Sequence, residues 1–135
     1  MATFNKFNSF VEAVAEKKHN LGSDTLKVAL TNTAPTASNT VLADITEITY
    51  TYASSRSLTT LTSSQTSGLY TYDPQDITIS ASGGTVGPFR YVVIYNDTAS
   101  NDELICWFDY GSSITLASGE SIDLTFNASG LLTLQ

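Results

Sequence analysis

Few residues of this chain could carry out acid–base or nucleophilic chemistry, and they lie far apart. His19 is the only histidine and Cys106 the only cysteine, and no Gly-x-Ser-x-Gly motif is present. A serine or cysteine nucleophile needs a histidine or another base beside it. His19 instead follows Lys17 and Lys18, and we interpret the three as cations at a helix C-terminus. The sequence predicts no catalytic residues and a protein that is not an enzyme.

The carboxylates form three local groups, each in or beside a predicted turn. These groups are Asp73 with Asp76, Asp97 with Asp102 and Glu103, and Glu120 with Asp123. A general acid and base pair would need two carboxylates in contrasting environments that face one cleft. Aspartates are favoured in turns because their side chains accept hydrogen bonds from nearby backbone N–H groups. We therefore interpret all three groups as turn residues.

Residues 96–103, NDTASNDE, offer hard oxygen ligands of the kind that calcium prefers. The segment lacks the spacing of an EF-hand loop, and it joins two apolar runs. Zinc would need four ligands from Cys, His or carboxylate side chains at defined spacings. Dinucleotide and phosphate-loop glycine motifs are also missing from the sequence. We predict no metal and no cofactor, and a hairpin loop at 96–103.

The charge of the chain restricts its partners. Its 135 residues carry a formal net charge of −7 at pH 7, and the six Lys and Arg residues are scattered. This balance repels phosphate backbones, so nucleic acid is not expected as a partner. Neither a signal-peptide pattern nor a run of membrane-spanning length occurs. We expect synthesis in a cytoplasm and no membrane partner.

Hydrophobic periodicity predicts an all-β protein with one short N-terminal amphipathic helix. Apolar residues at positions 7, 10, 11 and 14 define one stripe of a helix over about residues 5–18. Short alternating runs separated by turn residues follow, at spacings near ten residues. This pattern is typical of an antiparallel β-sandwich or barrel-like fold. The length suits a single domain over 1–135, with the helix packed on the sheet.

Two runs, 91–95 and 105–108, are apolar at nearly every position instead of alternating. Such strands are typically covered on both faces, so we predict that both are central in a sheet. Residues 50–52 and 58–61 also resemble short strands. Residues 34–48 fit either one helical turn or an irregular crossing segment.

Exposed aromatic side chains are the candidates for a binding surface. Tyr70 and Tyr72 alternate along one predicted strand and so share one face, where they could contact a sugar or another protein. Phe4 and Phe7 lie in the N-terminal segment. Either this segment or an exposed strand edge could contact a partner. We predict a protein interface that contains Phe4, Phe7, Tyr70 and Tyr72.

The chain resembles a group of small virion proteins encoded by tailed bacteriophages. The resemblance rests on residues 4–48, FNKFNSFVEAVAEKKHNLGSDTLKVALTNTAPTASNTVLADITEI, and on residues 82–134, SGGTVGPFRYVVIYNDTASNDELICWFDYGSSITLASGESIDLTFNASGLLTL. It covers nearly the full length, and residues 49–76 are the least similar.

The resemblance implies a capsid decoration (cement) protein that binds the major capsid protein lattice on the capsid surface and stabilises the head. It also implies a homo-oligomer, since virion components assemble symmetrically. A tail or head-to-tail component of the virion is the first alternative. A carbohydrate-binding β-sandwich module of a fibre or spike, with stacking tyrosines, is the second.

Overall fold

A computed structural model describes residues 2–135 of the chain. One α-helix, α1 (Ser9–Ala15), and one short 3-10 helix (Leu42–Asp44) accompany nine β-strands. The strands are β1 (Asn5–Lys6), β2 (Leu26–Thr31), β3 (Thr60–Thr66), β4 (Leu69–Pro74), β5 (Ile77–Ser80), β6 (Val86–Asn96), β7 (Leu104–Leu116), β8 (Ser121–Leu124) and β9 (Leu132–Leu134).

All strand pairs are antiparallel, and the strands form three sheets that pack together. The largest sheet has the order β1-β7-β6-β2, the second β3-β4-β9, and the third pairs β5 with β8. Buried side chains from all three sheets meet in one cluster, the main core, which includes Val28, Tyr72 and Ile79. The predicted all-β fold with antiparallel sheets and one short α-helix is confirmed.

The prediction that 91–95 and 105–108 form central strands is confirmed. They belong to β6 and β7, which occupy the two inner positions of the four-stranded sheet. Val92 and Ile94 lie in the main core, whereas Val93 and Tyr95 face a second cluster, the small core, on the other side. Because both faces of these strands are covered, both alternating sets of side chains must be apolar.

The helix is shorter than the predicted range of 5–18. Its C-terminus is a Schellman motif, in which Lys18 N donates to Ala13 O and Lys17 N donates to Val14 O. Lys17 adopts the left-handed conformation that such a motif requires, with φ of 66°, although glycine is the usual residue there. The helix therefore ends before Lys17, Lys18 and His19, and our interpretation of these cations as members of its last turn is wrong.

Three other elements differ from expectation or resolve an open alternative. Residues 50–52 form no strand; Tyr50 instead turns its hydroxyl to the backbone of Leu30, whose N–H donates to it at 2.8 Å. The undecided segment 34–48 is an irregular crossing that contains the 3-10 helix. Residues 104–116 form one continuous strand, β7, which extends well beyond the predicted central run 105–108.

Candidate functional site

The structure separates the four predicted interface residues into two kinds. Phe4 is 38 % exposed and Tyr70 is half-buried, so both remain available to a partner. Phe7 and Tyr72 are fully buried, and neither can contact another protein in this fold. The prediction is therefore wrong for Phe7 and Tyr72.

Phe7 is buried because the chain turns between β1 and α1. It packs in the small core against Trp107, with ring centroids 4.6 Å apart. Phe10, three residues later, enters the main core on the other side of the sheet, while Val11 is 52 % exposed. The apolar stripe of the sequence is therefore divided among two cores and the solvent.

Tyr72 is buried because its strand packs over the main core. Its hydroxyl lies 3.1 Å from Thr60 Oγ1 on the neighbouring strand, and burial raises its pKa. The Tyr70 hydroxyl lies 2.8 Å from Ser63 Oγ. Both rings lean across β3, so Tyr70 and Tyr72 do not form the flat exposed platform that stacking on a sugar requires.

Phe4 borders an open depression, the apolar groove, of about 520 Å³. The groove lies where the edge of β7 faces β8 and the segment before β9. It is lined mainly by apolar side chains and has neither lysine nor arginine among its lining residues: Ala2, Phe4, Val92, Phe108, Tyr110, Ile122, Leu124, Phe126 and Leu131, with Asp123, Thr125, Asn127 and Gly130. Phe4 meets Phe108 edge-on, with ring centroids 6.0 Å apart. The groove thus opens from the main core to solvent.

A bulge in β7 places Tyr110 at the rim of this groove. Asp109 is opposite Tyr91 and Ile114 is opposite Phe89, so β7 contains several extra residues between two register positions of β6. Gly111 has φ of 100°, which a residue with a side chain rarely adopts. The strand cannot continue flat there, and Tyr110 becomes 59 % exposed.

Asp109 fixes the start of this bulge. Arg90 donates to both of its carboxylate oxygens, at 2.8 and 3.0 Å, and Gly111 N also donates to it at 2.7 Å. The hydrogen bonds from Arg90 lower the pKa of Asp109, since they stabilise the carboxylate. Asp109 lies within β7 and, through its hydrogen bond from Gly111 N, also anchors the turn of the bulge.

A second depression, the polar cavity, differs from the apolar groove because many polar and charged side chains line it. It is a shallow, solvent-open cavity of about 850 Å³ near the end of the β6–β7 hairpin. Its lining includes His19, Asp24, Tyr70, Asn101 and Glu103. No local sequence pattern connects these residues, because His19 and Asp24 lie far along the chain from Asn101 and Glu103.

Asn96 forms the base of this arrangement and orients His19. Its Oδ1 accepts hydrogen bonds from the backbone N–H groups of Thr98 and Ala99, which fixes the orientation of the amide. The amide nitrogen Nδ2 must then donate, and it donates to Asp24 Oδ2 at 2.7 Å and to His19 Nδ1 at 2.9 Å. His19 Nδ1 is thus an acceptor, and the imidazole proton lies on Nε2.

The protonation of His19 follows from its surroundings. The side chain is only 8 % exposed, and its Nε2 has no hydrogen-bond partner within residues 2–135. Burial lowers the pKa of His19, although the negative charges of Glu103 and Asp24 oppose that effect. The neutral ring has its Nδ1 lone pair bound by Asn96 and its proton on Nε2. Neither nitrogen is therefore free to accept a proton from a substrate.

Several oxygen atoms of the loop 96–103 accept hydrogen bonds within the protein. Asn96 caps Thr98 and Ala99, and Glu103 accepts long hydrogen bonds from Asn101, at 3.4 and 3.5 Å. Burial and the neighbouring charge of Asp97 raise the pKa of Asp102. In the described part of the chain, no three His, Cys, Asp or Glu side chains are grouped as metal ligands would be. The segment joins β6 to β7 as a hairpin, as predicted.

The other carboxylate groups fit the interpretation as turn residues only in part. Glu120 accepts from Ala117 N at 3.0 Å within its own turn. Asp76 instead accepts from the distant Phe126 N at 2.8 Å, and Asp123, which lies within β8, accepts from the Thr78 hydroxyl on β5 at 2.6 Å. Asp73 lies within β4, so the interpretation as turn residues is wrong for Asp73 and Asp123. Cys106 is buried within the core, and burial raises the pKa of its thiol.

In comparisons with known proteins, no family model, no curated protein and no solved structure matches the chain. Within residues 2–135, no helix is long and apolar enough to cross a membrane.

Proposed function

We propose that the protein is a non-enzymatic structural component of a tailed-phage virion. In this proposal it decorates the capsid surface as a homo-oligomer, binds the major capsid protein lattice and stabilises the head. The resemblance of residues 4–48 and 82–134 to small phage virion proteins supports the class of protein. The apolar groove is the observation on the molecule that supports a binding role.

The groove favours adhesion to a protein because its rim is apolar and carries no cation. Phe4 and Tyr110 expose 38 % and 59 % of their surface, beside the half-buried Phe108. Burying such surface on a partner contributes about 25 cal/mol per Å² of apolar area before the costs of association. Aromatic side chains that a partner covers completely are typical binding hot spots.

The charge of the chain favours the outer surface of a head. A net charge of −7 would be repelled by packaged DNA, whereas outside the shell it opposes non-specific contact with nucleic acid. Many copies on neighbouring capsid subunits would each add interfacial free energy. That sum would resist the outward pressure of the packaged genome.

Binding to heads tests the role of the groove. Purified protein is added to mature heads of the parent phage that lack it, and the bound copies are counted after sedimentation. We expect the double variant Phe4→Ala/Tyr110→Ala to lose binding by at least about tenfold, as for removal of two hot-spot side chains. Val11→Ala is the matched control, because Val11 is an exposed apolar residue outside the groove, and it should bind normally.

Fractionation of intact virions tests the decoration role itself. A decoration protein should be present in filled heads at a copy number comparable to that of the capsid subunits. Its absence from filled heads would refute the proposal. A copy number of only a few, at a tail or at the head-to-tail junction in a particle reconstruction, would instead assign the protein to the alternative virion position.

The polar cavity favours a second candidate function, carbohydrate binding in a fibre or spike module. Asp24, Tyr70 and Asn101 combine carboxylate, hydroxyl and amide groups of the kind that bind sugar hydroxyls. A glycan array with the wild-type protein and Tyr70→Ala would test this candidate. Binding that the substitution abolishes would favour it over head decoration, and an array without any signal would reject it.

A further inference from the structure

β3 is an edge strand, and the side that faces away from β4 is not paired with another strand. β3 is the first strand of the sheet β3-β4-β9, and over the described residues it pairs only with β4. Its seven residues, TLTSSQT, include neither a charged side chain nor a proline. Most of them are exposed, and Leu61 is 62 % exposed. An edge of this kind can accept another strand.

The hairpin geometry shows which backbone groups face outward. A two-residue turn with positive φ at Ser67 and Gly68, 52° and 84°, connects β3 to β4. The pair Thr66–Leu69 that closes such a turn is hydrogen-bonded, and the pattern then alternates along the strand. Ser63 and Gln65 therefore direct their backbone N–H and C=O groups away from β4.

The β3 edge lacks the features that protect other edges of the molecule. β2, an edge strand of the largest sheet, carries Lys27, and β8 carries Asp123. In β3 the only irregularity of register lies between Thr60 and Thr62, at the end remote from the turn. Residues 62–66 form a regular, uncharged stretch that contains both outward-facing residues.

We propose that this edge pairs with the same edge of a second copy, antiparallel and about a two-fold axis. Identical antiparallel strands are self-complementary, because each outward N–H of one copy meets an outward C=O of the other. Two chains with a net charge of −7 repel each other at charged surfaces. The β3 edge lets two copies approach without placing carboxylates opposite each other.

Exposed apolar side chains beside the edge favour the same pairing. Leu61 lies at one end of β3, and Leu69, which is 38 % exposed, lies next to its other end. In an antiparallel pair, the Leu61 end of one copy lies near the Leu69 end of its partner. This inference rests on the homo-oligomer of the proposed function and names the surface through which two copies pair, a pairing that requires no capsid.

The test compares two substitutions of one residue. Gln65→Pro removes the outward N–H, whereas Gln65→Ala removes the same side chain and keeps the N–H. Sedimentation equilibrium of the full chain should show a dimer for the wild type and for Gln65→Ala. Gln65→Pro should weaken dimerisation about 30-fold or more, because it removes one donor from each copy.

A second pair of variants keeps the test decisive should the proline disturb the fold, as judged by circular dichroism. Ser64→Glu places like charges across the proposed axis and should dissociate the dimer at low salt, while Val11→Glu adds the same charge on the helix and should not. In hydrogen exchange, the amides of Ser63 and Gln65 should be protected in the dimer and lose protection on dilution.

Two outcomes would overturn the inference. The first is a wild-type protein that stays monomeric at several hundred micromolar. The second is a dimer that persists in folded Gln65→Pro and in Ser64→Glu. A strand of a different protein would then be the remaining candidate for this edge. Either outcome leaves the head-binding experiment unaffected, so this failure is distinguishable from failure of the proposed function.

Discussion

The apolar groove and the polar cavity are both open to solvent, yet they use their side chains in opposite ways. In the polar cavity, the amide of Asn96 is fully hydrogen-bonded within the protein and holds His19 and Asp24. At the apolar groove, Phe4 and Tyr110 expose large rings. His19 and Asp24 thus serve local structure, whereas the apolar rings at the groove remain exposed. This contrast supports our proposal that a partner binds at the groove.

The strongest test of this contrast is the loss of the Asn96 side chain. Asn96→Ala would leave the buried His19 Nδ1 without its partner, and it would also remove the acceptor of the part-buried hydrogen bonds from Thr98 N and Ala99 N. We expect the free energy of unfolding in urea to fall by about 3 kcal/mol, as for other losses of a buried polar network.

Asn96→Asp is a second variant that tests the same hydrogen-bond network. It keeps the acceptor oxygen for Thr98 and Ala99 but places a negative charge beside Asp24. Its loss should be comparable and should diminish at low pH, where the carboxylates become protonated. A change below about 1 kcal/mol in both variants would mean that the cavity is not a structural element, and the contrast with the groove would fail.

The pH dependence of stability is the second test. Since burial lowers the pKa of His19 in the folded protein, the unfolded chain binds this proton more tightly, near the ordinary value of 6.5. Stability is therefore full above pH 6.5 and decreases as the pH falls from there toward the folded pKa. One proton limits the slope to about 1.4 kcal/mol per pH unit.

Urea unfolding between pH 7 and pH 5 measures this slope, and His19→Gln provides the reference. The variant lacks the titrating ring, so the difference between the two curves isolates His19. If the two curves run parallel, then His19 titrates equally in both states, and its environment is not the buried one described above.

The smallest effect is expected at the groove rim. Tyr110 is 59 % exposed, so Tyr110→Ala should change the free energy of unfolding by less than about 0.5 kcal/mol. Phe108→Ala, in the wall of the same groove, should cost more because that ring packs against the main core. A loss above about 1.5 kcal/mol for Tyr110→Ala would show that this ring is structural, not available surface.

Local patterns allowed much of the β-architecture to be predicted. The continuous apolar runs at 91–95 and 105–108 identified central strands because a sheet covered on both faces leaves no polar position. The helix boundary was missed because Lys17, and not a glycine, adopts the left-handed conformation at its end. The prediction of a strand at 50–52 was wrong, because the Tyr50 hydroxyl accepts a hydrogen bond from the backbone N–H of Leu30 in β2.

The binding surfaces could be predicted only in part, because they depend on contacts between distant residues. Tyr70 and Tyr72 alternate correctly, but whether their face is buried depends on the sheet that packs over it. The contact of His19 with Asn96 spans 77 positions and leaves no local pattern. Gly111 followed by two serines within an apolar strand was the available signal for the bulge that exposes Tyr110.

The order of strands in the largest sheet has a consequence for biosynthesis. Its two outer strands, β1 and β2, are translated first, whereas the inner strands β6 and β7 end only at Asn96 and Leu116. The early strands consequently have no sheet to join until β6 and β7 have been synthesised. Assembly of this layer depends on closing long loops, which slows folding and prolongs the exposure of apolar segments such as β2.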